Sequence, residues 1–204
     1  MNLRRIYLAS RSPRRRELLK QIGVSYEMLL LREDMARGAD VDETPLPGEA
    51  PFDYVQRIAQ AKAATGWLRV EQRRLPHLPV LAADTAVTVG GRIMGKPADG
   101  QAAIEMLGAL SGREHEVLSA VALAFEDRLT MRLSVSKVGF KTLSAEQIRR
   151  YVLTGEPLDK AGAYAIQGKA AAFVASLSGS YSGVMGLPLS ETAELLADFG
   201  MEIL

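Results

Sequence analysis

The stretch Glu116–Thr142, EVLSAVALAFEDRLTMRLSVSKVGFKT, decides the fold. Two long runs with strand character, Glu116–Phe125 and Leu129–Thr142, are separated only by Glu126-Asp127-Arg128. That connection is too short for a helical crossover, so the runs predict a long antiparallel pair. Outward from it, helices take over. Asp99–Leu110 reads as an amphipathic helix starting after Pro97 and ending by Gly112, with Ile104, Leu107 and Leu110 facing the core. Ser144–Thr154 carries the capping pattern Ser144-x-x-Gln147 and stops at Gly155. Further upstream, Val80–Ala83 is a short strand, and Ala86–Val89 enters Gly90-Gly91, a hairpin dipeptide, before Ile93 and Met94 resume. Phe52–Leu68 is helical, whereas Arg32–Pro51 loses all periodicity and reads as a surface loop. At the start, the strand Ile6–Ala9 runs into Ser12-Pro13, an N-cap and first-turn signal for a helix ending near Gly23. Phe173–Leu177 is a late strand, and Ser190–Phe199 a late helix opened by its own cap. Interleaved elements around a helix-free hairpin point to the α/β class, with a mixed sheet and flanking helices. Residues 1–204 are expected to form one domain, any lobes sharing the sheet.

Composition narrows the chemistry. Of 204 residues, 48% are hydrophobic and 24% charged, enough for one substantial core. A formal charge of +1 lacks the broad positive field of a nucleic-acid coat, so no nucleic-acid partner is expected. No membrane-length apolar run occurs, and the opening MNLRRIYLASRSP lacks a secretory pattern, so the expected location is cytoplasmic. The absence of cysteine excludes thiolate sites, and with only His77 and His115 no histidine-rich metal site or serine triad is expected. Both histidines are expected to be structural or solvated, and Trp67 to lie in the core. Catalysis has to rest on carboxylates, cations and backbone.

Four clusters offer such groups. Ser10-Arg11-Ser12-Pro13-Arg14-Arg15-Arg16 brings hydroxyls, guanidinium groups and a helix N-terminus to a strand end. Free N–H groups and forked donors there suit phosphate, although a capped surface helix with solvated arginines has the same composition. Ala83-Asp84-Thr85 and Gly95-Lys96-Pro97 flank the hairpin, so a strand-end carboxylate and a returning lysine can meet one ligand. Solvated turn residues are the plainer reading. Gly95-Lys96-Pro97 is not a Walker loop, because it lacks the upstream glycine and the following hydroxyl residue. Glu43, Arg57 and Lys62 are weak signals singly. Gly155–Gly168, GEPLDKAGAYAIQG, mixes polar groups with small residues that allow close approach, and Gln167 there can donate and accept at once.

LASRSPRRRELL (8–19), DETPLPGE (42–49), YVQRIAQAKA (54–63), AADTAV (82–87), GKP (95–97), LSGREHEV (110–117) and GEPLDKAGAYAIQG (155–168), in this order, resemble the Maf family of nucleoside triphosphate pyrophosphatases. The resemblance spans nearly the whole chain. It implies two lobes around a central cleft, a homodimer, and hydrolysis of a nucleoside triphosphate to the monophosphate and pyrophosphate with Mg²⁺ or Mn²⁺. Carried over by position, Ser10, Arg14 and Arg15 hold phosphates, with Lys62 and Lys96 adding charge in the catalytic cleft. Glu43 and Asp84 hold the metal, and Asp84 activates water. Thr85, Lys160 and Gln167 match the branch acting on dTTP and UTP rather than the one favouring 7-methyl-GTP. Departures are Arg11 in place of a small residue, an insertion over Glu33–Asp40, Ala165 for a usual Gly, and Ser182-Gly183-Val184 for Ser-Asn-Val. The competing reading is a nucleotide-sensing protein that regulates division without turnover, which needs the cations but not the acids.

Overall fold

A computed structural model describes residues 5–32 and 38–203. Residues 33–37 of the expected insertion lie outside the described residues. The elements are β1 (Arg5–Leu8), α1 (Pro13–Gln21), β2 (Ser25–Met28), α2 (Pro51–Gln72), β3 (Val80–Val89), β4 (Arg92–Met94), α3 (Gly100–Leu110), β5 (Glu114–Phe125), β6 (Arg128–Phe140), α4 (Ala145–Val152), β7 (Val174–Ser178), α5 (Tyr181–Met185) and α6 (Leu189–Ala197). Three short 3₁₀ turns fill Glu156–Phe173.

All strands join one seven-stranded sheet in the order β2-β1-β3-β5-β6-β7, with β4 also on β3. β1 runs parallel to β2 and β3, and every other pairing is antiparallel. The mixed sheet expected from the central hairpin is therefore present, with Phe125 opposite Arg128 at its tip. Strand pairing breaks on one side of β3. β1 accompanies it only through Val80 and Leu81, and β4 joins only at Val87. Between them, residues 82–86 have a strand neighbour in β5 but none opposite. Gly90 and Gly91, at φ 58° and 77°, make the tight turn that returns β4 to that side.

Alternation along β3 assigns its two faces. Val80, Ala82 and Ala86, with Leu118, Ala120, Ala122 and Ala124 of β5, pack against α2. Small side chains let the helix sit close. At Gly66 of α2 an added Cβ would lie 2.6 Å from Val80 Cγ1. Leu81 and Ala83 face the opposite way, onto a core with Leu18 and Leu19 of α1 and Leu195 and Leu196 of α6. Val87 faces a further core that joins α3, α4 and the 3₁₀ segment through Leu107, Phe140, Tyr151 and Tyr164.

Several expectations need correction. Val80–Ala83 and Ala86–Val89 are one continuous strand, β3, and Asp84, expected in or beside a strand, lies inside it. α2 begins at Pro51 and runs on to Gln72. Ser12 precedes α1 but makes no side-chain cap, and α6 starts after Pro188 without the cap expected at Ser190. The second long strand stops at Phe140. Asp99 caps α3 through Ala102 N–H, and the Ser144–Gln147 capping box of α4 is complete.

Candidate active site

The break in β3's pairing gathers most of the candidate residues, and strand alternation sorts them onto two faces. Asp84 points to α2. There Lys62 Nζ lies 2.9 Å from Asp84 Oδ1 and 2.9 Å from Glu43 Oε1, so one ammonium bridges both acids. Asp84 is 7% exposed. Burial pushes its carboxyl pKa up, against the pull of Lys62 and then Arg15. Thr85, the next residue, points the other way. Arg15 Nη2 lies 3.4 Å from its hydroxyl, Arg15 Nη1 donates to Ser10 Oγ at 3.2 Å, and Arg15 Nε donates to the Gly186 carbonyl at 2.8 Å. Burial lowers the guanidinium pKa, opposed by the charges of Asp84 and then Glu43. No carboxylate forms an ion pair with Arg15 among the described residues. Its partners are hydroxyls and a carbonyl, so its positive charge stays available to an anion.

The loop carrying Glu43 is fastened along α2. Arg57 grips Glu49 with two bonds, 2.5 and 2.7 Å, and donates to the Thr44 carbonyl. That grip holds the Glu49 pKa down at about 2. Tyr54 donates to the Glu43 carbonyl at 3.1 Å, and burial, followed by Asp84 and Glu43, pushes its phenol up to about 12. Further along, the Asp40 side chain is fully enclosed between Arg69 and Arg32, and chiefly Arg69 holds its carboxyl far below the ordinary range. One helix thus supplies Arg57, Lys62 and Arg69 at three stations of this loop.

The remaining expected residues are less gathered. Arg14 pairs with Glu17 on its own helix at 2.8 Å instead of joining Arg15 and Ser10. Lys96 is exposed just past β4 and makes no hydrogen bond or ion pair among the described residues. Lys160 pairs with its neighbour Asp159, and Gln167 is half-buried. The chain around Lys160 is tied to the lysine loop where Gly162 N–H donates to the Gly95 carbonyl at 3.1 Å. Glu156 anchors the rest of that segment, accepting from Tyr151 OH at 2.8 Å and from Lys169 N–H. His115 is buried, 2.8 Å from Tyr164 OH, and His77 stacks edge-on against the core residue Trp67. A separate depression by the β3–β4 turn, lined by Thr88, Gly90, Glu114 and Lys137 among others, holds none of the candidate residues.

Sequence reading missed Ser119 and Gly186, and took Gly183 only as a departure from the family pattern. Ser119 pairs with Thr85 across β3–β5, and its hydroxyl lies 3.0 Å from that of Thr85 and 2.7 Å from the Gly183 carbonyl. No local pattern marks a serine in a buried strand as a partner of Thr85, or the carbonyls of Gly183 in α5 and of Gly186 just past it as acceptors from Ser119 and Arg15.

No group of three or more acidic or histidine side chains converges among the described residues. Glu43 and Asp84 are therefore a two-carboxylate donor set. That suits Mg²⁺ or Mn²⁺ when substrate phosphates and water complete the shell, and does not suit an all-protein cage.

The chain is similar to known proteins along nearly its whole length. A dTTP/UTP pyrophosphatase of Nitrosomonas europaea is 60% identical over 97% of this chain and 96% of its own length. A dTTP/UTP pyrophosphatase of Aromatoleum aromaticum is 56% identical over 96% of each. A solved HAM1 protein from Coxiella burnetii covers 95% of this chain and 98% of its own at 18% identity, with a TM-score of 0.47, a likeness too slight to carry weight. Residues 5–199 match the Maf-like protein family, and with these relatives aligned along almost its entire length the chain belongs to that family.

Proposed function

We propose that this chain hydrolyses nucleoside triphosphates, dTTP and UTP foremost, between the α and β phosphates, giving the monophosphate and pyrophosphate. The observation that carries the reading is the convergence of Lys62, Asp84 and Glu43 on one face of β3 with Arg15, Ser10 and Thr85 on the other, at the single break in its pairing. The names of relatives more than half identical along nearly full length support it.

A triphosphate carries roughly four negative charges at neutral pH, so two acids alone would repel it. Arg15 has two N–H groups beyond its three protein partners, and these face the phosphates. Ser10 Oγ already accepts from Ser12 N–H and Arg15 Nη1, so its own proton is left to donate to a phosphate oxygen. Arg14 and Lys96 add charge from either side of the opening. Glu43 and Asp84 would hold Mg²⁺ or Mn²⁺; bound there, the ion offsets phosphate charge and acidifies a coordinated water. Asp84, its basicity raised by burial, takes a proton from the attacking water as oxygen bonds to the α phosphorus and the bond to the pyrophosphate oxygen breaks. Lys62 keeps the two acids oriented and compensates the charge that develops. Lys160 and Gln167 read the base. The protein acts as a homodimer in the cytoplasm; no described helix is long and apolar enough to cross a membrane.

Hydrolysis in ¹⁸O-labelled water with Mg²⁺ tests this. Label in UMP, with unlabelled pyrophosphate, is the expected result. Label in pyrophosphate, release of UDP and phosphate, or no turnover of any triphosphate would refute it.

A further inference from the structure

Two departures from the family pattern, Arg11 and the insertion over Glu33–Asp40, meet in the structure. Arg11 Nη2 donates to the Leu31 carbonyl at 3.2 Å, and the next residue, Arg32, closes the neck of the insertion against Asp40. Asp40 N–H donates to the Arg32 carbonyl at 2.9 Å, while Arg32 N–H and Nε reach Asp40 Oδ2 and Oδ1, each at 3.0 Å. From the other side Arg69 of α2 supplies Nη2 at 2.5 Å and Nε at 3.3 Å. Four donors thus fill the lone pairs of one carboxylate whose side chain is 0% exposed. Asp40 has no acceptor site left for a metal or a water. It holds the two ends of the insertion to each other, and both to the helix that carries Lys62.

Glu43 follows three residues later. Asp42 Oδ1 accepts from Thr44 N–H at 2.9 Å, so the chain that presents Glu43 is turned and not slack. Among the described residues Lys62 is the only side chain that ion-pairs with Glu43, and a metal ion binding there competes with that ammonium. The place of the Glu43 carboxylate then has to come from its main chain, which Glu49 and Arg57 pin on one side and Asp40 and Arg69 on the other. We propose that Asp40 is a positioning residue for the metal ligand Glu43, and that by closing the neck it keeps residues 33–39 from setting where Glu43 lies. This rests on the reading that Glu43 holds the metal. The bond from Asp40 N–H to the Arg32 carbonyl is the one that closes a β-turn when only two residues intervene, so Asn-Gly in place of 33–39 preserves the neck.

Mn²⁺ titration of the nucleotide-free protein, read by electron paramagnetic resonance, tests this beside the Mg²⁺ dependence of UTP turnover. Asp40→Asn sets an amide N–H₂ among donors, and Arg69→Gln removes the helix side of the clamp while leaving the neck closed. Each should raise the Mn²⁺ dissociation constant at least about fivefold, short of the roughly 10–100-fold cost of losing a direct partner of a ligand. In both, kcat should return to within about twofold of the parent as Mg²⁺ is raised, a split between metal demand and rate that general damage to the fold cannot produce. The Asn-Gly replacement of 33–39 should keep the Mn²⁺ constant within about twofold, and Asp40→Asn made in that shortened chain should weaken it again. Unchanged Mn²⁺ binding in Asp40→Asn and Arg69→Gln, or an equal loss in the shortened chain, would overturn the inference. Glu43→Gln separates the two readings. If it weakens Mn²⁺ binding while the clamp variants do not, the role of Asp40 alone falls; if it changes nothing, the assignment of Glu43 as a ligand falls and takes the role of Asp40 with it.

Discussion

Replacing Lys62 with Met removes the ammonium between Asp84 and Glu43 while keeping an apolar stem of similar length against the sheet. The side chains of Lys62 and Asp84 are 15% and 10% exposed, and that of Glu43 is 44% exposed. The Glu43 pair is solvent-screened and contributes at most about 1 kcal/mol. Asp84 is the costly partner, because a buried charge losing its counter-ion costs about 3–5 kcal/mol. The carboxyl can escape by taking a proton, at about 1.4 kcal/mol per unit of pH above an ordinary pKa near 3.9. At pH 7 that route costs about 4 kcal/mol and at pH 5 about 1.5 kcal/mol. Urea unfolding should therefore place Lys62→Met about 3–4 kcal/mol below the parent at pH 7, with the deficit shrinking towards pH 5. The sign follows from linkage. In the variant Asp84 has a folded pKa raised further above its unfolded value, so stability is regained as pH falls. In an Asp84→Asn background the same replacement should cost under about 1 kcal/mol. A deficit independent of pH, or equal in both backgrounds, would show that Lys62 does not balance the Asp84 charge.

Gly162 sits at φ 68° with Val87 side-chain atoms 2.9 Å from an added Cβ. Gly162→Ala combines a left-handed backbone with overpacking, so it should lose about 2–4 kcal/mol in urea unfolding; a loss below about 1 kcal/mol would mean that the 3₁₀ segment is not pressed on the sheet. His115 is 2% exposed, and burial pushes its pKa down to about 4. A neutral histidine there stabilises the fold above pH ~6.5, and that contribution of about 3 kcal/mol is lost as pH falls towards 4. His115→Gln, which can still meet Tyr164, should flatten the acid limb of stability measured against pH. Glu49→Gln loosens the Arg57 grip on the Glu43 loop. It should speed proteolytic nicking between residues 38 and 50 and raise the Mg²⁺ concentration for half-maximal activity severalfold, and no change in either would detach the clamp from Glu43.

The parts of this molecule legible in sequence were those with local cause. The central hairpin, the Gly90-Gly91 turn, the Ser144–Gln147 capping box and the helix following Pro13 each depend on residues within a few positions, and each is present. β2 escaped notice because its segment Ser25-Tyr26-Glu27-Met28 lies at the sheet edge with no buried residue, held by pairing with β1 rather than by a pattern of its own. Asp84 could be placed only in or beside a strand, because a carboxylate is disfavoured within one, and Lys62, which compensates it there, comes from 22 residues away. The site residues could be nominated from motifs, but their pairing could not. Arg15 meets the Gly186 carbonyl across 171 residues, and no spacing rule reaches that far.

The interval in β3 between its departure from β1 and its meeting with β4 has one more consequence. Ala9 N–H bonds the Leu81 carbonyl, so odd-numbered peptide groups of β3 point to that side, and those of Ala83 and Thr85 project there with no strand to receive them. Main-chain amides cannot be deleted by exchanging side chains, proline alone excepted. Whatever those amides grasp is thus recognised by a part of the protein that ordinary point mutation cannot erase, leaving drift in the surrounding side chains free to retune selectivity without forfeiting the hold.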